Sequence, residues 1–142
     1  MSKLRDSFIA IHRNLSQLKK LPSCKIVNVR RYGFSAELYI REGRYLIRID
    51  YSEKEEPRVF MVSPKIDMSS SAEIHTYGMK YHPSYKCCLP MLCLTYYPVD
   101  KWNYSIPLIQ SFIPWAIEWT EFYEIWLLTG KWYGRGTHGE KI

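Results

Sequence analysis

The spacing of apolar residues changes twice along this chain, and the two changes determine the order of its secondary structure. Residues 3–21 place apolar side chains at the spacing of an amphipathic helix. From residue 25 to residue 62 the period becomes two, which predicts about four strands, with a hairpin turn at residues 41–44. The helical period returns from Ser105 onwards, where Ser105 can cap a helix and Pro107 is tolerated in its first turn. The sequence therefore predicts one α+β domain, residues 1–142, with an N-terminal helix, a four-stranded antiparallel meander, a long loop and a long C-terminal helix.

The last helix is predicted from a stripe of aromatic residues. Four of them recur at i, i+4, i+7 and i+11: Trp115, Trp119, Phe122 and Trp126. This spacing places all four on one face, which we expect to pack against the sheet as core. Gly130 follows as the natural stop of the helix, and Pro114 either kinks the helix or begins a second one.

The charge and hydropathy of the chain limit the compartments and the partner classes that the sequence predicts. Its 20 Lys and Arg against 14 Asp and Glu give a formal net charge of +6, which attracts acidic partners. The basic residues are scattered and form no run of five, so nucleic-acid binding is not favoured. No apolar run approaches the ~20 residues of a membrane span, and the chain does not start with an apolar signal core. The sequence therefore predicts a cytoplasmic protein without a membrane partner.

Three of the four cysteines lie close together in the least periodic part of the chain. Residues 64–101 are interrupted by prolines, a glycine and a run of serines, and we expect them to be mostly loop. Within this segment Cys87, Cys88 and Cys93 fall in seven consecutive positions. In a reducing compartment such thiols are core residues, metal ligands or a nucleophile.

Zinc is the metal that this cluster would bind, with His75 or His82 as the fourth ligand. The spacing does not favour it, because adjacent cysteines followed by a four-residue gap differ from the usual Cys-x-x-Cys knuckle. We therefore expect no metal and no cofactor, and we expect Cys24, Cys87 and Cys88 to be small core residues.

The remaining cysteine lies in a context that resembles the ubiquitin-conjugating (UBC) enzymes. In that family a His-Pro-Asn motif precedes the active-site cysteine, a leucine follows the cysteine, and a tryptophan comes further on. The chain matches this order with three elements: His82-Pro83, Cys93-Leu94 and Trp102. The resemblance implies a UBC-like fold whose long loop is the active-site loop, with Cys93 as the catalytic nucleophile. We interpret His82 as a structural residue that holds the loop through hydrogen bonds of its ring, in preference to a general base.

A closer resemblance is to the bacterial relatives of that family in cyclic-oligonucleotide anti-phage defence (CBASS) operons. Their signature is a Leu-Cys-Leu segment and a helix that contains Ile-Pro-Trp and Glu-Trp and ends in Trp-Leu-x-Thr-Gly-x-Trp. This chain carries the four parts as Leu92-Cys93-Leu94, Ile113-Pro114-Trp115, Glu118-Trp119 and residues 126–132. The helix and the segment after it are the most specific part of a match that covers most of the chain.

The resemblance implies a chemistry and a set of partners. Cys93 accepts an acyl group as a thioester and passes it to an amine, a role that suits cysteine because thiols exchange acyl groups readily near neutral pH. The implied donor is the C-terminus of a cyclic GMP-AMP synthase-like nucleotidyltransferase, which plays the part of ubiquitin. The implied acceptor is an amine-bearing protein, and the conjugation primes anti-phage signalling in the bacterial cytoplasm.

One departure from the UBC pattern leaves a second interpretation open. Ser84 stands where the family has the asparagine that stabilises the oxyanion. A backbone N–H, Tyr85 or another loop donor therefore has to take that role. The alternative is a catalytically inactive UBC-like module that docks a ubiquitin-like partner. A nucleic-acid-binding domain, suggested only by the charge and the aromatic residues, is the third interpretation.

Overall fold

The computed structural model describes residues 3–52, 55–66, 74–95, 103 and 105–134, with the backbone alone for residues 3–7. In chain order its elements are α1 (Lys3–Lys19), β1 (Cys24–Arg30), β2 (Gly33–Ile40), β3 (Tyr45–Ser52), β4 (Arg58–Ser63), β5 (Thr76–His82), β6 (Cys87–Leu92), a 3₁₀ turn (Leu108–Gln110) and α2 (Phe112–Thr129). The predicted α+β class is confirmed. Within the described ranges, none of the helices is long and apolar enough to cross a membrane.

The strands of the described residues form one antiparallel sheet in the order β1–β2–β3–β4–β6–β5. Strands β1 to β4 are the predicted meander, and residues 41–44 form the predicted turn between β2 and β3. Strand β6 joins the meander beside β4 through the pair Phe60 and Met91. Strand β5 pairs only with β6 among the described strands and lies at the outer edge. The prediction of four strands is therefore wrong, because the sheet has two more.

The two missed strands contain residues that interrupt the alternating pattern. Gly78 lies inside β5 with a φ of 94°, at a register shift between Thr76 and Met79. Pro90 lies inside β6. A bulge breaks the period of two, and glycine and proline are both uncommon in strands. The pattern of residues 64–101 therefore indicates loop, although two stretches of it pair as strands.

The sheet has one apolar and one polar face. On β2 and β3 the residues that point towards the helices are buried: Phe34, Ala36, Leu38, Ile47, Ile49 and Tyr51. They form one cluster with buried residues of α1 and α2. Ser35, Arg48 and Asp50 alternate with them and point the other way, because successive side chains of a strand leave opposite faces. The polar face is therefore available for a network of charged side chains.

Helix α2 buries its aromatic stripe unevenly. Trp119 is 3% exposed and lies in the core cluster. Trp115 and Trp126 are half-buried and pack against that cluster, whereas the half-buried Phe122 contacts Trp132 beyond the end of the helix. The predicted core face is thus confirmed at Trp119 and is only partly buried at the other three positions.

The start of α2 differs from the prediction and its end agrees with it: the helix begins at Phe112 and not near Ser105, because residues 105–110 form a bend and a 3₁₀ turn. Pro114 is the third residue of the helix, where the missing N–H of proline needs no partner, so it belongs to the start of the helix. Gly130 adopts a left-handed φ of 73°, and its N–H donates to the Trp126 carbonyl at 2.7 Å. The chain then returns towards the helix, where the ring of Trp132 contacts Trp119.

Candidate active site

Cys93 is the first residue after β6, and a backbone hydrogen bond holds it beside the neighbouring chain segment. Its N–H donates to the carbonyl of His75 at 3.2 Å. The Cys93 side chain is 4% exposed, and its neighbours Leu92 and Leu94 belong to the core cluster. The position of the thiol is therefore set by the end of the sheet.

The carbonyl of His75 also connects Cys93 to the C-terminal part of the chain. It accepts a second hydrogen bond from the indole Nε1–H of Trp119 at 2.8 Å. The imidazole ring of His75 stacks on Trp132, with ring centroids 5.5 Å apart. Gly134 lies so close to this indole that a Cβ there would come within 2.5 Å of the indole nitrogen. Helix α2 and the segment after it thus help to position the backbone of the candidate nucleophile.

A bulge in β5 directs the side chain of Tyr77 towards Cys93. The register of β5 against β6 shifts just after Thr76, and the N–H of Gly78 donates to the Thr76 hydroxyl at 3.1 Å. The Tyr77 hydroxyl forms side-chain hydrogen bonds with Cys93 and Thr95. Burial, and after it the hydrogen bond to Cys93, raises the pKa of the phenol, so the hydroxyl keeps its proton at neutral pH.

Sequence reasoning did not single out Tyr77. The one signal for it is Gly78, because an isolated glycine within an alternating segment indicates a bulge. The direction in which a bulge turns a side chain depends on the pairing of the two strands, which the sequence does not show.

A cleft of about 180 Å³ is lined by residues on either side of Cys93, namely Leu92, Leu94 and Thr95. Its polar lining comes from Tyr77, Thr95, Glu56 and Arg58, and apolar side chains such as Leu92 complete it. The charged residues at its rim are paired, since Glu55 and Arg58 form an exposed ion pair at 3.2 Å. The cleft therefore borders the segment that carries Cys93, while Cys93 itself is only 4% exposed.

His82 lies at the opposite end of the β5–β6 hairpin, and both of its ring nitrogens are engaged. Its Nε2 is 2.9 Å from Oδ2 of Asp50, and its Nδ1 accepts the N–H of Ser84 at 3.2 Å. Because Nδ1 is an acceptor, the proton of the neutral ring is on Nε2 and is donated to Asp50. The side chain is 5% exposed, and the ring of Phe60 packs against it. The predicted structural role of His82 is confirmed, since these bonds hold the turn after β5.

Asp50 is the centre of a polar network on the outer face of the sheet. Arg48 donates to this carboxylate at 2.8 Å, and so does the hydroxyl of Ser35. Burial raises the pKa of the carboxyl, but the hydrogen bonds from Arg48, Ser35 and His82 outweigh burial, so the pKa is lowered. Arg48 also donates to the Ser84 hydroxyl at 3.2 Å. The network ties β2, β3 and the turn after β5 together.

Tyr85 belongs to this network and not to the thiol site. Its hydroxyl donates to the carboxylate of Glu37, and Nη1 of Arg48 lies 3.4 Å from it. The six residues of β6 separate the turn from Cys93, a distance of roughly 20 Å at ~3.3 Å per residue. Neither Tyr85 nor Ser84 therefore reaches the thiol. The suggestion that Tyr85 replaces the family's asparagine as the oxyanion donor is wrong.

The other cysteines differ in their surroundings. Cys24 is half-buried and packs against the core cluster as expected, and burial raises the pKa of its thiol. Cys87 and Cys88 are exposed, so the expectation that they are core residues is wrong. In the part of the chain that the structure describes, no three His, Cys, Asp or Glu side chains come together as metal ligands. The zinc content stays a prediction for elemental analysis.

The described residues thus place a buried cysteine at the end of the sheet of an α+β protein, with its backbone bonded to His75. Trp102, the last part of the UBC-like pattern, lies outside the described residues. A family model described as "Type II CBASS E2 protein" matches residues 14–139. The chain therefore belongs to this family, which gives it an E2-like role in CBASS defence. A search of curated proteins finds no match.

Proposed function

We propose that this chain is a ubiquitin-conjugating-like acyltransferase that carries an acyl group as a thioester on Cys93. The observation that carries the proposal is the environment of this thiol in a member of an E2 family. Cys93 combines a backbone anchor at His75, a hydroxyl partner in Tyr77 and a cleft that is lined by the residues on either side of it. Cys87 and Cys88, by contrast, are exposed on the strand.

The reaction consists of two acyl transfers. In the first, the Cys93 thiolate attacks the carbonyl carbon of an activated C-terminus; a C–S bond forms, and the activating group leaves with its electron pair. In the second, an amine nitrogen attacks the thioester carbonyl; a C–N bond forms, and Cys93 leaves as a thiolate. The amine releases its proton to solvent. Cysteine suits both steps because its thiolate is a good nucleophile and a good leaving group.

The proposed donor is the C-terminus of a cyclic GMP-AMP synthase-like nucleotidyltransferase, and the proposed acceptor is an amine on a protein. The cleft of about 180 Å³ is smaller than the ~300–1,000 Å³ of a typical small-molecule pocket. Its size suits the last residues of an extended chain. The reaction takes place in the cytoplasm, where the four free cysteines stay reduced.

A catalytically inactive docking module is the second candidate function. Two observations favour it: the Cys93 side chain is 4% exposed, and Ser84 replaces the asparagine of the UBC enzymes. In this case the chain binds its partner without forming a covalent bond.

Formation of a covalent adduct tests the proposal and separates the two candidates. Incubated with the nucleotidyltransferase and a source of activation, the wild-type chain should form an adduct that a reducing agent removes. Cys93→Ala should form none, and Cys93→Ser should form an ester that resists the reducing agent. Cys87→Ala and Cys88→Ala are the matched controls, because their thiols are exposed and lie on the strand that leads to Cys93.

Both controls should form the adduct at the wild-type level. An adduct that survives Cys93→Ala and disappears in either control contradicts the assignment of the nucleophile. Tight binding of the nucleotidyltransferase by wild type without any covalent adduct supports the docking module instead.

A further inference from the structure

We infer that the polar face of the sheet carries a second site, a cleft of about 390 Å³ that binds a nucleoside phosphate. Residues of β1 to β4 line one side of this cleft, and the end of β5 with the turn after it, residues 81–84, lines the other. Its volume falls within the ~300–1,000 Å³ of a small-molecule pocket, whereas the cleft lined by Leu92 and Leu94 is smaller. The inference does not depend on the proposed acyl transfer.

Strand register brings the polar residues of this cleft together. One row runs across the four strands of the meander, because Asn28 pairs with Ser35, Ser35 with Asp50, and Asp50 with Arg58. Paired residues of neighbouring strands point to the same face, with Cβ atoms ~4.5–5.5 Å apart. Arg30 lies two residues after Asn28, and Arg48 lies two residues before Asp50, so both share that face. The cleft therefore contains three arginines at fixed positions.

Two of these arginines are exposed, and their guanidinium groups are open to a ligand. The side chain of Arg30 makes no hydrogen bond or ion pair with another described residue. Arg58 pairs with Glu55 at 3.2 Å, and both side chains are exposed, an arrangement that contributes little in water. An anion that enters the cleft therefore competes with solvent and with one weak ion pair.

The third arginine is buried and adds oriented donors. Arg48 uses three of its five N–H groups, on Asp50, Ser84 and Tyr85. The other two have no partner within the described ranges. Because these bonds already hold the guanidinium in place, little side-chain freedom is lost when a ligand accepts the remaining donors.

Asp50 is the one carboxylate among the residues that line this cleft, and its charge is balanced. It accepts hydrogen bonds from Arg48, Ser35 and His82. A carboxylate has about four acceptor positions, so one position is left for a hydroxyl of a ligand. The lining thus combines a basic rim with a single acceptor.

A nucleoside phosphate has a group for each part of this lining. Its phosphate suits Arg30 and Arg58, because arginine forms paired hydrogen bonds with phosphate oxygens. A ribose hydroxyl can donate to the remaining acceptor position of Asp50. The base can stack on the ring of Tyr81, which lines the cleft and is 63% exposed. Inorganic phosphate or a nucleoside without phosphate satisfies only part of the lining.

Isothermal titration calorimetry of the full chain tests this site. The probes are the 5′-monophosphates of adenosine, guanosine, cytidine and uridine, with the four nucleosides and inorganic phosphate as partial ligands. We expect at least one monophosphate to bind saturably, and both inorganic phosphate and the matching nucleoside to bind about tenfold more weakly or less. The inference is overturned if none of the four binds, or if inorganic phosphate binds as tightly as the monophosphates.

Substitutions of exposed side chains locate the site. Arg30→Gln and Arg58→Gln should each weaken the binding of the monophosphate about tenfold. Arg31→Gln is the matched control, because Arg31 is the exposed neighbour of Arg30 and does not line the cleft; its affinity should equal that of wild type. Tyr81→Ala should weaken the monophosphate about tenfold and leave inorganic phosphate unchanged.

An unchanged affinity in both arginine variants places the ligand elsewhere and overturns the inference. Melts followed by circular dichroism check that the variants are folded. If Arg58→Gln is not folded, Arg30→Gln decides alone, because its side chain has no bond to lose within the described part of the chain. Cys93→Ala should bind the monophosphate like wild type, so a failure of the acyl transfer and a failure of this site are separate results.

Discussion

The two ends of the β5–β6 hairpin are built for different purposes. At the turn, the ring nitrogens of His82 bond to Asp50 and to the backbone of Ser84, and Asp50 also accepts from Arg48. At the other end, Cys93 has a phenol hydroxyl as a partner, and the residues on either side of it line a cleft. One end uses its polar groups to hold the fold, and the other holds the proposed nucleophile, 4% exposed, in a segment that borders a cleft. The His-Pro pair, which carries part of the likeness to UBC enzymes, therefore supports the hairpin from a distance.

The largest effect is expected where the thiol end is anchored to α2. Trp119→Ala removes a buried indole, which typically costs ~3–5 kcal/mol out of the ~5–15 kcal/mol of a small domain. The melting temperature should therefore fall sharply. Trp119→Phe keeps the ring and loses the hydrogen bond to the His75 carbonyl, so it should cost only about 1–2 kcal/mol.

A calorimetric melt of the wild type and both Trp119 variants checks this order. A Trp119→Ala variant that melts like wild type but no longer binds the nucleotidyltransferase would make the aromatic stripe a docking surface. The prediction that it is a core face would then be wrong.

A substitution at the turn end of the hairpin should lower the stability of the chain and leave the rate of acyl transfer unchanged. Asp50→Ala leaves Arg48 and His82 buried without their carboxylate partner, and the loss of one partner of a buried pair typically costs ~3–5 kcal/mol. Urea unfolding should show this loss. At a temperature where the variant is fully folded, its adduct with the carrier should form at the wild-type rate. A slower transfer by folded Asp50→Ala would show that the two ends are coupled.

Acid should lower the stability of the turn end, because it protonates the Asp50 carboxylate. The pKa of Asp50 is lower in the folded chain than in the unfolded chain, so the unfolded chain takes up the proton first as the pH falls. The stabilisation is complete above the ordinary carboxyl pKa of about 4 and is lost below it. We expect the free energy of unfolding of wild type to decline more steeply than that of Asp50→Asn over this range. Parallel declines in urea titrations at several pH values would assign the acid sensitivity to other groups.

The smallest effect is expected from restoring the family's amide. Ser84→Asn lies at the turn, roughly 20 Å from Cys93 by the length of β6. We expect its melting temperature to stay close to that of wild type, within about 0.5 kcal/mol of stability. The discharge of the thioester to a free amine should proceed at the wild-type rate. Faster discharge in a stopped-flow or gel assay would place the turn close to the thiol and remove the distinction between the two ends.

The regular parts of the fold could be predicted from the sequence, and the hairpin could not. Helix α2 and its stop at Gly130 follow from periodicity and a single residue, because both depend on local structure alone. Strands β5 and β6 were missed because Gly78 and Pro90 interrupt their alternation. Their pairing is what places Tyr77 beside Cys93 and the His82 turn at the far end.

In the candidate site, too, the features that depend on local sequence could be predicted and those that depend on strand pairing could not. The choice of Cys93 rested on the residues next to it in sequence, Leu92 and Leu94, and on the more distant His82-Pro83 pair. The anchor at His75 and the phenol of Tyr77 come from pairing across the hairpin, which depends on strand register. Register is a property of the folded sheet, so the local pattern offers only Gly78 as the sign of a bulge and does not show which residues meet across the hairpin.

The position of the acyl group on the chain tests the central claim most directly. The wild-type adduct, digested at a pH low enough to preserve thioesters, can be analysed by tandem mass spectrometry of the segment 87–101, which contains all three clustered cysteines. The account predicts that the carrier's C-terminal remnant is attached to Cys93 in every adduct peptide of this segment. Attachment to Cys87 or Cys88, with Cys93 unmodified, would contradict it.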